Sequence, residues 1–270
     1  MRIFLYREPR VENFRSEELA EYLSELCPWA AVELREEFAS FWIEQLPEVE
    51  REAKLEDLAW AWAQARLGPQ GRRTGPPLPM EVKYEKRRLR DPKHTASGLL
   101  YDALRIMAAL RELIAPEERT WRYLHLVFTN QLVATPDPGG RYHCRVAVFG
   151  YPCLISTSGA VEGPAKPREF YLAREQARIL GASSPALYAY TACEPRAYLD
   201  YGDPRLTEVL KGYVAQAVAY QLRGWPFCED RGCRLYNAHW QEEMLYAQML
   251  APYEFCTYHE KLFRRGVQEW

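Results

Sequence analysis

Residues 228–263 read CEDRGCRLYNAHWQEEMLYAQMLAPYEFCTYHEKLF, and they hold two closely spaced pairs of soft ligands, Cys228-x4-Cys233 and Cys256-x2-His259. Structural zinc takes four tetrahedral ligands from thiolate and imidazole, usually as two such pairs brought together by folding. The spacing therefore predicts a Cys3His site of Cys228, Cys233, Cys256 and His259 holding one structural Zn2+, with His239 the rival to His259 as fourth ligand. A second ion is not expected. The metal would fasten the end of one helix, the loop after it and a later helical turn to each other. Packing is a poor alternative, because Glu229, Asp230, Arg231 and Gly232 leave Cys228 and Cys233 little apolar surface. A disulfide is disfavoured by the odd total of seven cysteines.

Immediately upstream, DPRLTEVLKGYVAQAVAYQLRGW (203–225) reads as a helix with Pro204 at its first position and Gly224 past its last turn. Leu206, Leu210, Val214, Ala217, Val218 and Leu222 face the core at helical spacing. Further back, the apolar run Ile3–Tyr6 reads as a strand. Ser16 is expected to cap a helix bearing Leu19, Tyr22, Leu23 and Leu26, and residues 30–35 (AAVELR) read as a second strand. A helical region over 39–67 is kinked or divided at Pro47. Residues 68–79 form a Gly/Pro/Arg-rich flexible insert.

Residues 80–89 (MEVKYEKRRL) alternate as a half-exposed strand would, and Ser97 is expected to cap a helix running to about Ile114. Residues 123–128 (YLHLVF) read as a central strand, with residues 142–149 (YHCRVAVF) pairing beside it as a hairpin. Strands separated by helices and finishing in an antiparallel edge give an α/β fold with a twisted mixed sheet. The chain then divides into residues 1–224, an α/β domain with the insert, and residues 225–270, a small helical subdomain stapled by zinc.

Composition sets the function classes. Hydrophobic residues at 48% and charged residues at 27% are ordinary for a globular chain. The net charge of −2 argues against a broad phosphate-binding surface. Glu229, Asp230, Glu242, Glu243 and Glu254, lying near the cysteines in sequence, would repel nucleic acid. No run reaches the roughly 18 apolar residues a membrane span needs, and the N-terminal apolar run is too short for a secretion signal. With unpaired cysteines, this predicts a cytoplasmic protein. Ser156, Thr157 and Ser158 before Gly159 lack the second glycine of a nucleophile elbow and read as a strand end entering a turn. Glu162 and Lys166 lie in a polar loop bracketed by Gly163, Pro164 and Pro167, with a place in a cleft wall as its functional alternative.

The long helix, Gly224 and the cysteine pair beyond it resemble the archaemetzincins, metzincin-clan zinc peptidases whose HExxHxxGxxH helix runs into Cys-x4-Cys, with a later Cys-x2-Cys completing a structural zinc site. Cys256-x2-His259 stands where that second pair would, histidine replacing the last thiolate. The order strand, helix, strand, helix, strand, edge strand is similar to a metzincin upper domain. TNQL (129–132), RYHCR (141–145), ISTSG (155–159), VEGPAKPREFY (161–171) and CRLYNAHWQEE (233–243) are similar to an uncharacterised prokaryotic family described as candidate metallopeptidases.

Counted back from Gly224, the three histidine positions of the metzincin motif fall on Ala217, Gln221 and Phe227, its glutamate on Val218, and its Met-turn methionine on Leu235. None of these supplies a catalytic ligand or base, and no HExxH occurs. The resemblance implies a metzincin-like fold with one structural zinc and a degenerate centre, suited to holding a peptide or protein along its edge strand. The alternative is an active metal-dependent hydrolase rebuilt around His239-x-x-Glu242-Glu243. There, His239 and Glu243 would stand one turn apart on a helix capped by Asn237, with His143 or His125 as third ligand. Otherwise His239, Gln241 and Glu242 are expected to form a buried polar cluster supporting the cysteine site. Gln216, Tyr220 and Gln221 on the relic helix have no assigned role.

Overall fold

The computed structural model describes residues 1–69, 71–95, 98–179 and 197–266. Its strands are β1 (Arg2–Tyr6), β2 (Ala31–Arg35), β3 (Leu67–Gly68), β4 (Gly71–Arg72), β5 (Leu100–Asp102), β6 (Tyr123–Thr129), β7 (Leu132–Pro136), β8 (Tyr142–Arg145), β9 (Ala147–Val148) and β10 (Cys153–Ser156). Among the helices, α1 (Ser16–Leu26), α2 (Phe38–Glu44), α3 (Glu48–Ala65), α4 (Pro79–Arg90) and α5 (Ala103–Arg111) precede β6. After β10 come α6 (Thr157–Glu162), α7 (Arg168–Ile179), α8 (Leu206–Arg223), α9 (Gln241–Leu245) and α10 (Thr257–Arg265).

The main sheet runs β2-β1-β6-β10-β9, its first four strands parallel and β9 antiparallel at the edge. Because side chains alternate across a strand, Ile3 and Leu5 enter one core while Phe4 and Tyr6 enter the other. Residues of α1 and α8 fill the first core, and residues of α2, α3 and α5 the second. The result is a layered mixed α/β structure. Cys233, Leu235, Met244, Leu245 and Phe263 lie in the same core as Leu19 and Val214, so the C-terminal region packs directly on α1 and α8. No helix among the described residues is long and apolar enough to cross a membrane.

Several local expectations are corrected. Residues 80–89 are helical, within α4, not a strand: Val82, Glu85, Arg88 and Leu89 share the buried face. Pro79 sits in the first turn, and the Leu78 N–H donates to Glu81 Oε2 at 2.7 Å, so both start signals of a helix were present. Ser97 lies outside the described residues. The helix expected from it begins at Ala103, where the Asp102 carboxylate accepts from the Leu104 and Arg105 N–H groups. Ser16 is the first residue of α1 and not its cap, which is Arg15.

Pro47 divides the 39–67 helical region into α2 and α3. Residues 142–149 do not pair with β6. Their first half, β8, forms a hairpin with β7 in a second sheet, β5-β7-β8, and their second half supplies β9. The 68–79 stretch carries the β3–β4 hairpin, tied down by Arg72 to Asp102 at 2.6 Å and by Arg73 to Glu81.

Candidate metal centre

Gly224 closes α8 in the left-handed conformation (φ 72°), which turns the chain out of the helix toward Cys228. The loop from Cys228 to Cys233 is shaped by its own polar groups. The Asp230 side chain accepts from the Gly232 N–H at 2.9 Å, and its carbonyl accepts from the Cys233 N–H at 3.0 Å. The Cys228 N–H donates to the Leu235 carbonyl at 2.9 Å, closing the loop at its base. Cys256 is the N-cap of α10 and His259 stands in that helix's first turn, so Cys256 Sγ and His259 Nδ1 come within 3.2 Å.

The Cys228, Cys233 and Cys256 sulfurs and a His259 ring nitrogen all lie within 4.8 Å of one another. A tetrahedron with metal–sulfur bonds near 2.3 Å and metal–nitrogen bonds near 2.05 Å has edges of about 3.8 Å between sulfurs and about 3.5 Å from sulfur to nitrogen. Cys228 Sγ to Cys256 Sγ is 3.9 Å and Cys233 Sγ to His259 Nδ1 is 3.6 Å. These donors fit a single small cation between them.

Electrostatics point the same way. Burial pulls His259 down to about 4, leaving it neutral with a lone pair to donate. Burial also pushes the Cys233 thiol up to about 12 and raises Cys228. Three thiolates drawn together, with Cys233 buried and Cys228 and Cys256 half-buried, would repel one another unless a cation is among them. Backbone N–H groups prepare the thiolates: Asp230 N–H reaches Cys228 Sγ at 3.4 Å, and the N–H groups of Cys256 and Leu235 face Cys233. These donors carry no sequence signal beyond the turn residues Asp230 and Gly232. His259 Nε2 is buried without a hydrogen-bond partner among the described residues, unlike the usual oriented metal-binding histidine.

Among the described residues, His239, Glu242 and Glu243 are not brought together with a third ligand. Asn237 does not cap the helix after it, which starts at Gln241 with Trp240 as N-cap, so His239 lies outside α9. Glu243 Oε2 accepts from the backbone N–H groups of His239 and Trp240 at 3.1 and 3.3 Å, and Oε1 meets Arg231 at 3.3 Å. The side chains of His239 and Glu242 are exposed. Nor do these residues form a buried cluster behind the cysteines. Gln241 is buried, but its amide donates to the carbonyls of Ala160 and Val161 and accepts from the Leu199 N–H.

The two candidate third ligands are engaged elsewhere. His143 Nε2 meets Asp137 at 3.0 Å. Tyr6 Oη accepts from Arg35 and Trp42, so it donates its proton to His125 Nδ1 at 2.9 Å. Among the described residues, the Cys3His group is the only potential metal cluster of three or more such ligands.

At the positions matched to the metzincin motif, Ala217 and Val218 are fully buried, Gln221 Nε2 donates to the Trp121 carbonyl at 2.5 Å, and Phe227 packs against Phe149 and Trp225. Tyr220 also packs on Phe149. Gln216 is buried, donates to the Tyr236 carbonyl at 3.3 Å, and its Oε1 has no partner among the described residues. Ser156, Thr157 and Ser158 are buried, and each hydroxyl donates to a backbone carbonyl, of Gln131, Thr129 and Asn130 respectively.

A model described as a family of unknown function, DUF7001, matches residues 4–262. The chain belongs to that family. No curated protein and no solved structure matches it. The site that this family member presents is a cluster of three thiols and an imidazole that could hold a metal ion, reached from the end of α8.

Proposed function

We propose that this DUF7001 protein is an archaemetzincin-like zinc protein, holding one structural Zn2+ through Cys228, Cys233, Cys256 and His259, whose former peptidase cleft binds peptide or protein without cleaving it. The carrying observation is the four-donor cluster, all within 4.8 Å of one another and with two separations that match the edges of a zinc tetrahedron. Soft thiolates with one imidazole in a closed tetrahedron favour zinc over harder divalent ions. All four positions are protein ligands, which leaves no open site for a reactive water. The metzincin comparison draws support from a parallel sheet ending in an antiparallel edge strand, and from α8 running into the cysteine loop.

A small cleft supports the peptide reading. It is lined by Arg145, Ala147 and Phe149 along the sheet edge, by Gln216 and Phe227, and by Asn237. The unpartnered Gln216 Oε1 offers an acceptor for a donor of the guest. The test is metal content by inductively coupled plasma mass spectrometry. One zinc per chain is expected, unchanged in His239→Ala and lost in Cys228→Ser. Two metals per chain, or casein hydrolysis lost in Glu242→Gln, would establish the hydrolase instead.

A further inference from the structure

A second, larger depression lies beside that cleft and takes no part in metal binding. The N–H of Ala165 donates to the His239 carbonyl and the N–H of Gln241 to the Ala165 carbonyl, both at 2.8 Å, so the 163–167 loop is strapped to the start of α9. Gly163, Pro164, Asn237 and Ala238 line the cleft on one side of this strap. On the other side, a groove of about 650 Å³ is lined by Tyr236, Trp240, Tyr246 and Leu250, with Glu242 and Glu243 among them. Trp240 and Tyr246 are 52% and 42% exposed, two large aromatics side by side on a face that no other described residue covers.

The polar groups of the groove are acidic, with one exception that is informative. Arg231, from the cysteine loop, reaches Glu243 Oε1 at 3.3 Å, so this wall already accommodates one guanidinium. Glu242 is exposed and takes no cation among the described residues. Aromatic faces attract cations through their quadrupole, and an adjoining carboxylate adds charge and a hydrogen-bond acceptor.

We infer that this groove binds a basic side chain, the guanidinium or ammonium of a peptide whose backbone lies in the neighbouring cleft, using Trp240, Tyr236 and Tyr246 as walls and Glu242 as counter-charge. The inference rests on the peptide reading above and adds its specificity: a partner with arginine or lysine at the position that leaves the sheet edge. Because Arg231 and Tyr236 flank Cys233, the metal loop sets one wall of the groove. The bound metal is thereby a positioning element for recognition.

The test uses fluorescence polarisation with the zinc-loaded full chain and labelled pentapeptides of three kinds: Gly-Ala-Leu-Ala-Gly, the same peptide with arginine for leucine, and the same with glutamate. Arginine is expected to bind at least about tenfold more tightly than leucine, and glutamate more weakly than either. The arginine preference should collapse in Glu242→Gln and in Trp240→Ala, while zinc content stays at one per chain. Equal affinity for arginine and leucine peptides, or a preference that survives both variants, overturns the groove assignment and leaves the cleft reading standing. A leucine peptide that fails to bind, with arginine binding still dependent on Trp240, sinks the cleft reading and leaves the groove.

Discussion

Gly212 lies on the buried face of α8, against the amide of Gln248. Exchanging a helical glycine for alanine ordinarily stabilises by about 1 kcal/mol. Here a Cβ would stand 1.9 Å from Gln248 Oε1 and 2.4 Å from both Cδ and Nε2, so the whole carboxamide must move by roughly 1.5 Å to regain contact distance. It has little room, because Gln248 is 2% exposed and sits in a π-helical turn, Tyr246–Leu250. Its Nε2 donates to the Arg234 carbonyl at 2.9 Å, and its own carbonyl accepts from Arg234 Nη2 at 2.8 Å.

Displacing the amide strands a buried carbonyl, at about 1–3 kcal/mol, and overpacks the contact by about 1–3 kcal/mol. Set against the helix gain, Gly212→Ala should destabilise by roughly 2 kcal/mol, lowering the calorimetric midpoint by about 4–8 °C. In the double variant Gly212→Ala/Gln248→Ala the clash is gone, so the two changes together should cost less than their sum. A single variant that melts at or above the wild-type temperature would refute this account of how α8 meets the residues after the metal loop.

Two further perturbations test the second core, which holds Tyr6 and Trp42 beside His125 and Tyr101 beside Glu85. His125 is buried and held down to about 4, mainly by burial, against an ordinary value near 6.5. The unfolded chain therefore takes up its proton first. This stabilising contribution, roughly 3 kcal/mol at most, is whole above pH 6.5 and is lost as pH falls toward 4. Urea midpoints should drop over that window, and by less in His125→Phe. The fully buried Glu85 carboxylate receives Arg66 and Arg88, each at 2.6 Å, and the Tyr101 hydroxyl at 2.8 Å. Glu85→Ala would leave Arg88 without its counter-charge among the described residues and Arg66 with only Glu81, at 3.7 Å. It should cost about 3–5 kcal/mol in chemical denaturation, and a loss under 1 kcal/mol would show the cluster to be better solvated than its burial implies.

What could be read from the chain was what local spacing encodes. Ile3 to Tyr6 is a short unbroken apolar run, as a strand with a core on each face requires. Cys228, Cys233, Cys256 and His259 could be picked out because metal chemistry restricts both residue type and separation. Residues 80–89 misled because Met80, Val82 and Tyr84 satisfy a strand pattern as readily as Val82, Glu85 and Leu89 satisfy a helical one. Pro79 and Glu81 held the answer. His239 and Glu243 suggested a ligand pair because spacing cannot tell when a carboxylate is already taken by backbone N–H groups. The groove was hidden for a different reason: it arises where Ala165 meets the chain around Trp240, a tertiary pairing that no nearby pattern records.

The three hydroxyls of Ser156, Thr157 and Ser158 fasten the end of β10 to three successive carbonyls at and beyond the end of β6. Since any amino acid at 129–131 brings the same carbonyl, this clasp places demands on one of its halves alone. Alanine at 156 or 158 would open it and leave an oxygen stranded in a dry interior. The identities of Asn130 and Gln131 must answer to something else. The Asn130 amide reaches the His94 carbonyl at 2.8 Å, and Gln131 Nε2 donates to Asn130 Oδ1. Two neighbouring motifs that look like one signature thus obey separate rules of exchange, and should drift independently as related chains diverge.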